Sequence, residues 1–203
     1  MTPSEAIDDA VQRLEAIAPA GYFLALRVRG ASPLMVFKTF PQDWLDTYME
    51  NGYMMRDPVT TWALTVGGTI KWSSPFLPDP FGVLRQAAEH GLKHGASIAI
   101  GPRSALSICS ICRQDRDPSK DEIAEAKEIV EQLHALTAPP ASLTEAQKAV
   151  LEGLAKGEGT AKLARRTGLT EAAVKARQKD LCDLFFVSTP EDALRRARDA
   201  KLV

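Results

Sequence analysis

The chain has 203 residues, of which 45% are hydrophobic and 25% charged, the proportions of a soluble globular protein with material for one large core or two smaller ones. Its formal net charge of −1 gives no whole-chain signal for nucleic acid. No apolar run approaches the roughly 20 residues that a membrane span requires, so no membrane partner is expected.

The N-terminal stretch MTPSEAIDDAVQRLEA is acidic and amphipathic, unlike a signal or transit peptide. Three cysteines without framework spacing fit a reducing, cytoplasmic setting. The charge is uneven: residues 139–203 carry a net +3 and the remainder −4. A mildly basic tail on an acidic body hints at a DNA-contacting module.

In chain order, residues 4–17 place Ala6, Ile7, Ala10, Val11, Leu14 and Ile17 at helical spacing, with Ser4 as the expected cap. Two strands follow, YFLALRVRG and MVFKTF, and a helix begins at Pro41 with Trp44 and Tyr48 on one face. Asp57-Pro58 reads as a break, and VTTWALTV as helix or strand. Next come a Gly67-Gly68 turn, a short strand TIKW, the proline-rich PFLPDPFG, and a helix over roughly 82–94. The strands ASIAIG and ALSICSICR form a hairpin across GPRS. The longest helical pattern then carries Ile123, Ala126, Val130, Leu133 and Leu136 on one stripe. This order predicts an α+β fold, with an α/β/α sandwich sensor domain over residues 1–136.

The TAPPAS segment at 137–142 predicts a linker, because two prolines cannot continue a helix. Residues 143–203 read as an all-α four-helix domain. Within it, Gly168-Leu169 joins two short helices in a helix-turn-helix pattern. Lys175, Arg177, Gln178 and Lys179 are expected opposite the Val174/Leu181 face, where they can reach base edges or phosphates, with Arg165 and Arg166 as further phosphate contacts. The other reading of this region is a solvated bundle used for dimerisation.

The stretch from Trp44 to Trp72 holds all three tryptophans and two of the three tyrosines, with Asp57 between aromatic residues. Aromatic surface with a few convergent polar groups suits a small-molecule pocket. An aromatic core with a surface Asp-Pro turn is the competing reading. Cys109 and Cys112 are three apart in a strand, so they point to opposite faces and make no redox pair. His90, His94 and His134 have no nucleophile partner, and no spacing marks a metal site. Neither an enzyme nor a cofactor is expected.

The C-terminal stretch resembles the DNA-binding domain of the LuxR family of bacterial transcription regulators. Leu143, Thr144, Val150, Leu151, Ala155, Gly157, Ala164, Leu169, Val174, Lys175, Ala193 and Ala197 occupy matching places. Upstream, Trp44, Tyr48, Asp57, Pro58 and Trp72 resemble the family's acyl-homoserine-lactone receptor, as do Gly91, Gly95 and Ser107 in the hairpin. The resemblance implies that Trp44 donates to the lactone carbonyl and that Asp57 accepts the ligand amide N–H. It also implies that Tyr48 and Ser107 donate to the acyl carbonyl and that Trp72 packs on the lactone ring. Phe40, Met54, Met55 and Val59 would wall the acyl chain.

Departures from the family pattern are Ala146-Gln147, Lys162, Arg177, Ala99, and Phe40 in place of a pocket tyrosine. The implied protein is a cytoplasmic, lactone-responsive quorum-sensing regulator that binds double-stranded DNA as a homodimer. Two alternatives stay open. One is a protein that heterodimerises with a related regulator and blocks it, motivated by Gln147 and Lys162; the other is a receptor for a non-lactone signal or for none.

Overall fold

The computed structural model describes residues 3–30 and 32–203; the side chain of Ser4, the expected first cap, lies outside the described residues. The chain divides into two compact units, Met1–Leu136 and Thr137–Val203.

The first unit is built on a five-stranded antiparallel sheet: β1 (Gly21–Val28), β2 (Met35–Lys38), β3 (Gly68–Lys71), β4 (His94–Ile100) and β5 (Leu106–Arg113), in the order β2-β1-β5-β4-β3. The outer helices α1 (Pro3–Ile17) and α5 (Lys120–Leu136) pack together against one face. In α1 the helical spacing buries Ile7, Ala10, Leu14 and Ile17. In α5 the buried stripe is Ala126, Ile129, Val130 and Leu133; Ile123 and Leu136, expected inward, are half-buried at the ends.

The other face carries α2 (Gln42–Glu50), α3 (Pro58–Thr65) and α4 (Val83–Glu89). Side chains alternate along β5, so Leu106, Ile108, Ser110 and Cys112 meet this helical layer while Ser107, Cys109 and Ile111 meet the outer helices. Asp57 is the N-cap of α3, with Pro58 in the first turn, so the expected break is the start signal of a helix. The helix expected over 82–94 is shorter, because Gly91 takes φ +87° and His94 already pairs with Arg113 in the sheet.

The second unit has α6 (Glu145–Ala155), α7 (Thr160–Thr167), α8 (Glu171–Phe185) and α9 (Pro190–Asp199). Its larger core joins Leu143, Val150, Leu151, Leu181, Phe185 and Ala193; a smaller one joins Leu163, Ala164 and Val174. Gly153 lets α6 and α7 approach, since a Cβ there would lie 2.2 Å from the Leu163 side chain. The expected linker begins inside this unit: the Thr137 carbonyl accepts from the Arg196 guanidinium at 3.3 Å.

Candidate functional site

Helical spacing on α2 sets Trp44 and Tyr48 edge to face, with ring centroids 5.7 Å apart. After α2 the chain turns at Gly52 (φ +60°) into a single tight helical turn, Tyr53–Met55, which brings the Tyr53 ring within 6.1 Å of Trp44 and 5.9 Å of Tyr48. The Tyr53 hydroxyl donates to Gln86 on α4.

Asp57 stands beside this aromatic group. Its carboxylate accepts the Tyr48 hydroxyl at 2.8 Å, the Val59 N–H at 2.7 Å and the Thr60 hydroxyl at 3.3 Å. Burial holds the Asp57 carboxyl above its ordinary value, against the lowering effect of those bonds. Burial, with the adjacent Asp57 charge second, pushes the Tyr48 phenol well up. Tyr48 is thus a neutral donor directed at Asp57.

Across the layer, the Trp72 indole N–H donates to the Ser97 hydroxyl at 2.9 Å, and Ser97 and Ser110 share a hydrogen bond of 2.8 Å. Ser97 is fully buried and Ser110 nearly so. Trp72 lies flat on β4 because residue 95 is glycine; a Cβ there would stand 2.2 Å from the indole ring. The Trp44 indole N–H differs: among the described residues no acceptor takes it.

The expected site residues fall into distinct groups. Trp44, Tyr48 and Asp57 come together, and Phe40 packs against their cluster. Val59 joins an apolar cluster with Trp62, Ala63, Leu77, Ala99 and Leu106. Trp72 touches both clusters.

Two expectations need correction. Ser107 faces the outer helices, where its hydroxyl accepts the Arg27 N–H at 3.1 Å and pairs with His134 Nδ1 at 2.8 Å. Ser110, of opposite parity, takes the inward place. Met54 and Met55 are 49% and 84% exposed, because the tight turn directs only Tyr53 inward. Tyr48 donates its proton to Asp57. Counting β5 in twos from the buried hairpin would have pointed to Ser110; the Gly52-Tyr53 turn was the signal for Tyr53. The two strand cysteines are inert, buried thiols, each pushed up to about 12 by burial.

In the second unit, Lys175 and Lys179 project from α8 with Ala172 and Ala176 exposed between and beside them. Arg177 and Gln178 do not lie opposite the core. They stand three and four residues after buried Val174, so helical geometry places them beside the buried stripe, and both are half-buried. Gln178 lines a groove with Lys175, Lys179, Cys182 and Pro190.

Arg165 is exposed, whereas Arg166 bonds the Glu158 carboxylate at 2.8 Å and the Ala149 carbonyl, joining α7 to α6. Lys162 pairs with the same carboxylate at 3.4 Å. Desolvation raises the Glu158 pKa, but the bonds from Arg166 and Lys162 outweigh it and hold the group below its ordinary value. Gln147 completes a capping box with Thr144, each side chain bonding the other's backbone N–H.

Among the described residues no cluster of three metal-ligating side chains occurs, and no helix is long and apolar enough to cross a membrane. The family model for the autoinducer binding domain matches residues 4–137. The HTH-type quorum-sensing regulator RhlR of Pseudomonas aeruginosa is 24% identical over 181 residues, covering 82% of this chain and 74% of that protein. The transcriptional activator protein VanR of Vibrio anguillarum is 25% identical over 182 residues, covering 82% of this chain and 76% of that one. A crystal structure of Escherichia coli SdiA matches in fold with a TM-score of 0.50 at 20% identity, covering all of this chain and 92% of the other. With the autoinducer-binding domain spanning most of its length, the chain belongs to the LuxR family of quorum-sensing regulators.

Proposed function

We propose that this protein is a ligand-responsive transcription regulator whose first unit binds an N-acyl-homoserine lactone and whose second unit binds DNA as a homodimer. The observation that carries the ligand reading is the Trp44 ring, whose N–H no protein group accepts among the described residues, packed on Tyr48, which in turn bonds the half-buried Asp57 carboxylate. An amide-linked acyl lactone needs that set: an acceptor for its N–H, donors for its carbonyls and an apolar wall for its chain. Trp44 donates to the lactone carbonyl, Asp57 accepts the amide N–H, and Ser110 donates to the acyl carbonyl. Val59, Ala99 and Ile108 line the chain.

The DNA reading rests on the exposed Lys175 and Lys179 of α8, with Arg165 nearby in sequence, and on the regulators RhlR and VanR, which the chain resembles along both units. A dimer would set two α8 helices into half-sites about one DNA turn apart. Gln147 and Lys162, the residues that motivated a blocking partner, each have a role inside the unit, so neither counts against DNA binding. A ligand acts through differential affinity for two receptor states.

The test is ligand-induced thermal stabilisation across a panel of acyl-homoserine lactones in wild type, Asp57→Asn and Trp44→Phe. The reading expects stabilisation of wild type that shrinks in both variants. Equal stabilisation of all three proteins would overturn it.

A further inference from the structure

The two apolar clusters of the helical layer meet at one pair of hydroxyls. On this side of the sheet β4 presents Gly95, Ser97 and Ala99, and β5 presents Cys112, Ser110 and Ile108, with Ser97 directly opposite Ser110. Cys112 packs with Trp44 and Tyr53, while Ala99 and Ile108 pack with Val59. The serine pair therefore marks the boundary between the aromatic end and the aliphatic end.

A proton count fixes what the pair can offer. Trp72 can only donate, and its N–H goes to Ser97. The Ser97–Ser110 bond takes one hydroxyl proton and leaves one over. On Ser97 that proton would be fully buried without an acceptor, which is costly. With Ser97 donating to Ser110, Ser97 both accepts and donates, and the two bonds polarise one another in one direction. The remaining proton then belongs to Ser110.

We infer that Ser97 is a positioning residue that relays the Trp72 indole N–H to Ser110, so that Ser110 meets the ligand as a directed hydrogen-bond donor. The relay supplies the carbonyl donor that Phe40 lacks and that Tyr48 directs to Asp57. It also gives Trp72 a polar role in the wall of the site. The inference rests on the proposed lactone function and deepens it, because it makes the acyl carbonyl, as an acceptor, the feature selected by this end of the site.

The experiment compares an acyl-homoserine lactone with its thioamide analogue, in which the amide C=O becomes C=S, a weaker acceptor of similar shape, while the N–H for Asp57 remains. Affinities are measured by titration calorimetry on wild type, Ser97→Ala, Ser97→Thr and Ser110→Ala. Wild type should prefer the oxygen ligand by about ten-fold, the worth of one good hydrogen bond. That ratio should collapse toward unity in Ser97→Ala and Ser110→Ala and be restored in Ser97→Thr. Both ligands meet the same variant, so a general loss of stability cancels in the ratio, and Ser110→Ala keeps the Trp72–Ser97 bond if Ser97→Ala folds poorly. An unchanged ratio in Ser110→Ala, or in a folded Ser97→Ala, overturns the relay while leaving the lactone reading intact. Failure of wild type to bind either ligand overturns the lactone reading itself.

Discussion

Asp57→Ala removes three accepted hydrogen bonds at once: the Tyr48 hydroxyl, the Val59 N–H that caps α3, and the Thr60 hydroxyl. Loss of an N-cap costs about 1 kcal/mol. Leaving the half-buried Tyr48 hydroxyl without its acceptor costs about 1–2 kcal/mol more. Asp57→Asn keeps an oxygen for the cap, presents its amide N–H to a Tyr48 hydroxyl that turns to accept, and removes a carboxylate that burial disfavours, so its cost stays within about 1 kcal/mol. Urea unfolding followed by tryptophan fluorescence reads the difference, because all three tryptophans lie in the first unit. With a slope of about 1–3 kcal/mol per molar, the alanine midpoint should fall about 1 M below that of the asparagine variant. The pH dependence adds a sign. The folded carboxyl titrates above its ordinary 3.8, so the native state keeps its proton longer than the unfolded chain. Wild type therefore loses stability relative to Asp57→Asn as the pH rises from 3.8 through the folded value. Coincident midpoints for the two variants would refute the assignment of Asp57 as both cap and Tyr48 acceptor.

Gly95→Ala places a Cβ 2.2 Å from the Trp72 ring, so the indole must leave Ser97. The expected cost is about 1–3 kcal/mol with a shift in tryptophan emission, and an unchanged spectrum contradicts the packing. Glu122 is held down to about 2 by Arg116 first, with Ser119 and Arg113 also lowering it. Its contribution is present above an ordinary 4.5 and is lost as the pH falls toward about 2. Glu122→Gln should flatten that acid limb in a urea series, and a parallel limb would count against the ion pairs. Lys175→Ala with Lys179→Ala should weaken binding to an operator-sized duplex and reduce the log–log salt slope by about 2, one per lost phosphate contact. Unaltered binding in a gel-shift titration removes α8 as the DNA-reading helix.

Helical and strand periodicity marked nearly every element, because each buries one face and repeats its apolar residues accordingly. The positions that escaped it are those where chemistry depends on which face a residue takes. Ser107 and Ser110 have the same composition and lie in the same strand, yet the pleat sends one to His134 and the other to Trp72 by way of Ser97. A motif match carries a residue type to a position but does not fix which face of the strand that position takes. Arg177 and Gln178 escaped for the helical equivalent of that reason: three and four residues past Val174 is the near side of the stripe. The wall role that the family resemblance implies for Met54 and Met55 does not survive the tight turn after Gly52, which leaves room for one inward residue. Asp57 was legible by its neighbours, but its role as α3's cap needed the Asp-Pro pair to be read as a helix start.

The two faces of β5 allow fold and ligand to be tested apart. Ser107→Ala removes bonds to the Arg27 N–H and to His134 on the outer face, at a cost of about 1–2 kcal/mol, and leaves the inner face untouched. If the lactone binds only the folded receptor, ligand at about 100 times its Kd adds about 2.7 kcal/mol, more than that variant loses. Saturating lactone should therefore bring Ser107→Ala to or above the midpoint of ligand-free wild type. Trp44→Phe should behave in the opposite way. It removes an indole N–H that no protein acceptor holds and part of a buried ring, so the ligand-free midpoint falls by the packing lost, about 1–2 kcal/mol, while most of the lactone's added stabilisation disappears as well. Paired urea titrations with and without ligand read both effects. If lactone fails to raise Ser107→Ala while still raising wild type, Ser107 belongs to the binding face, and the inward assignment of Ser110 falls with it.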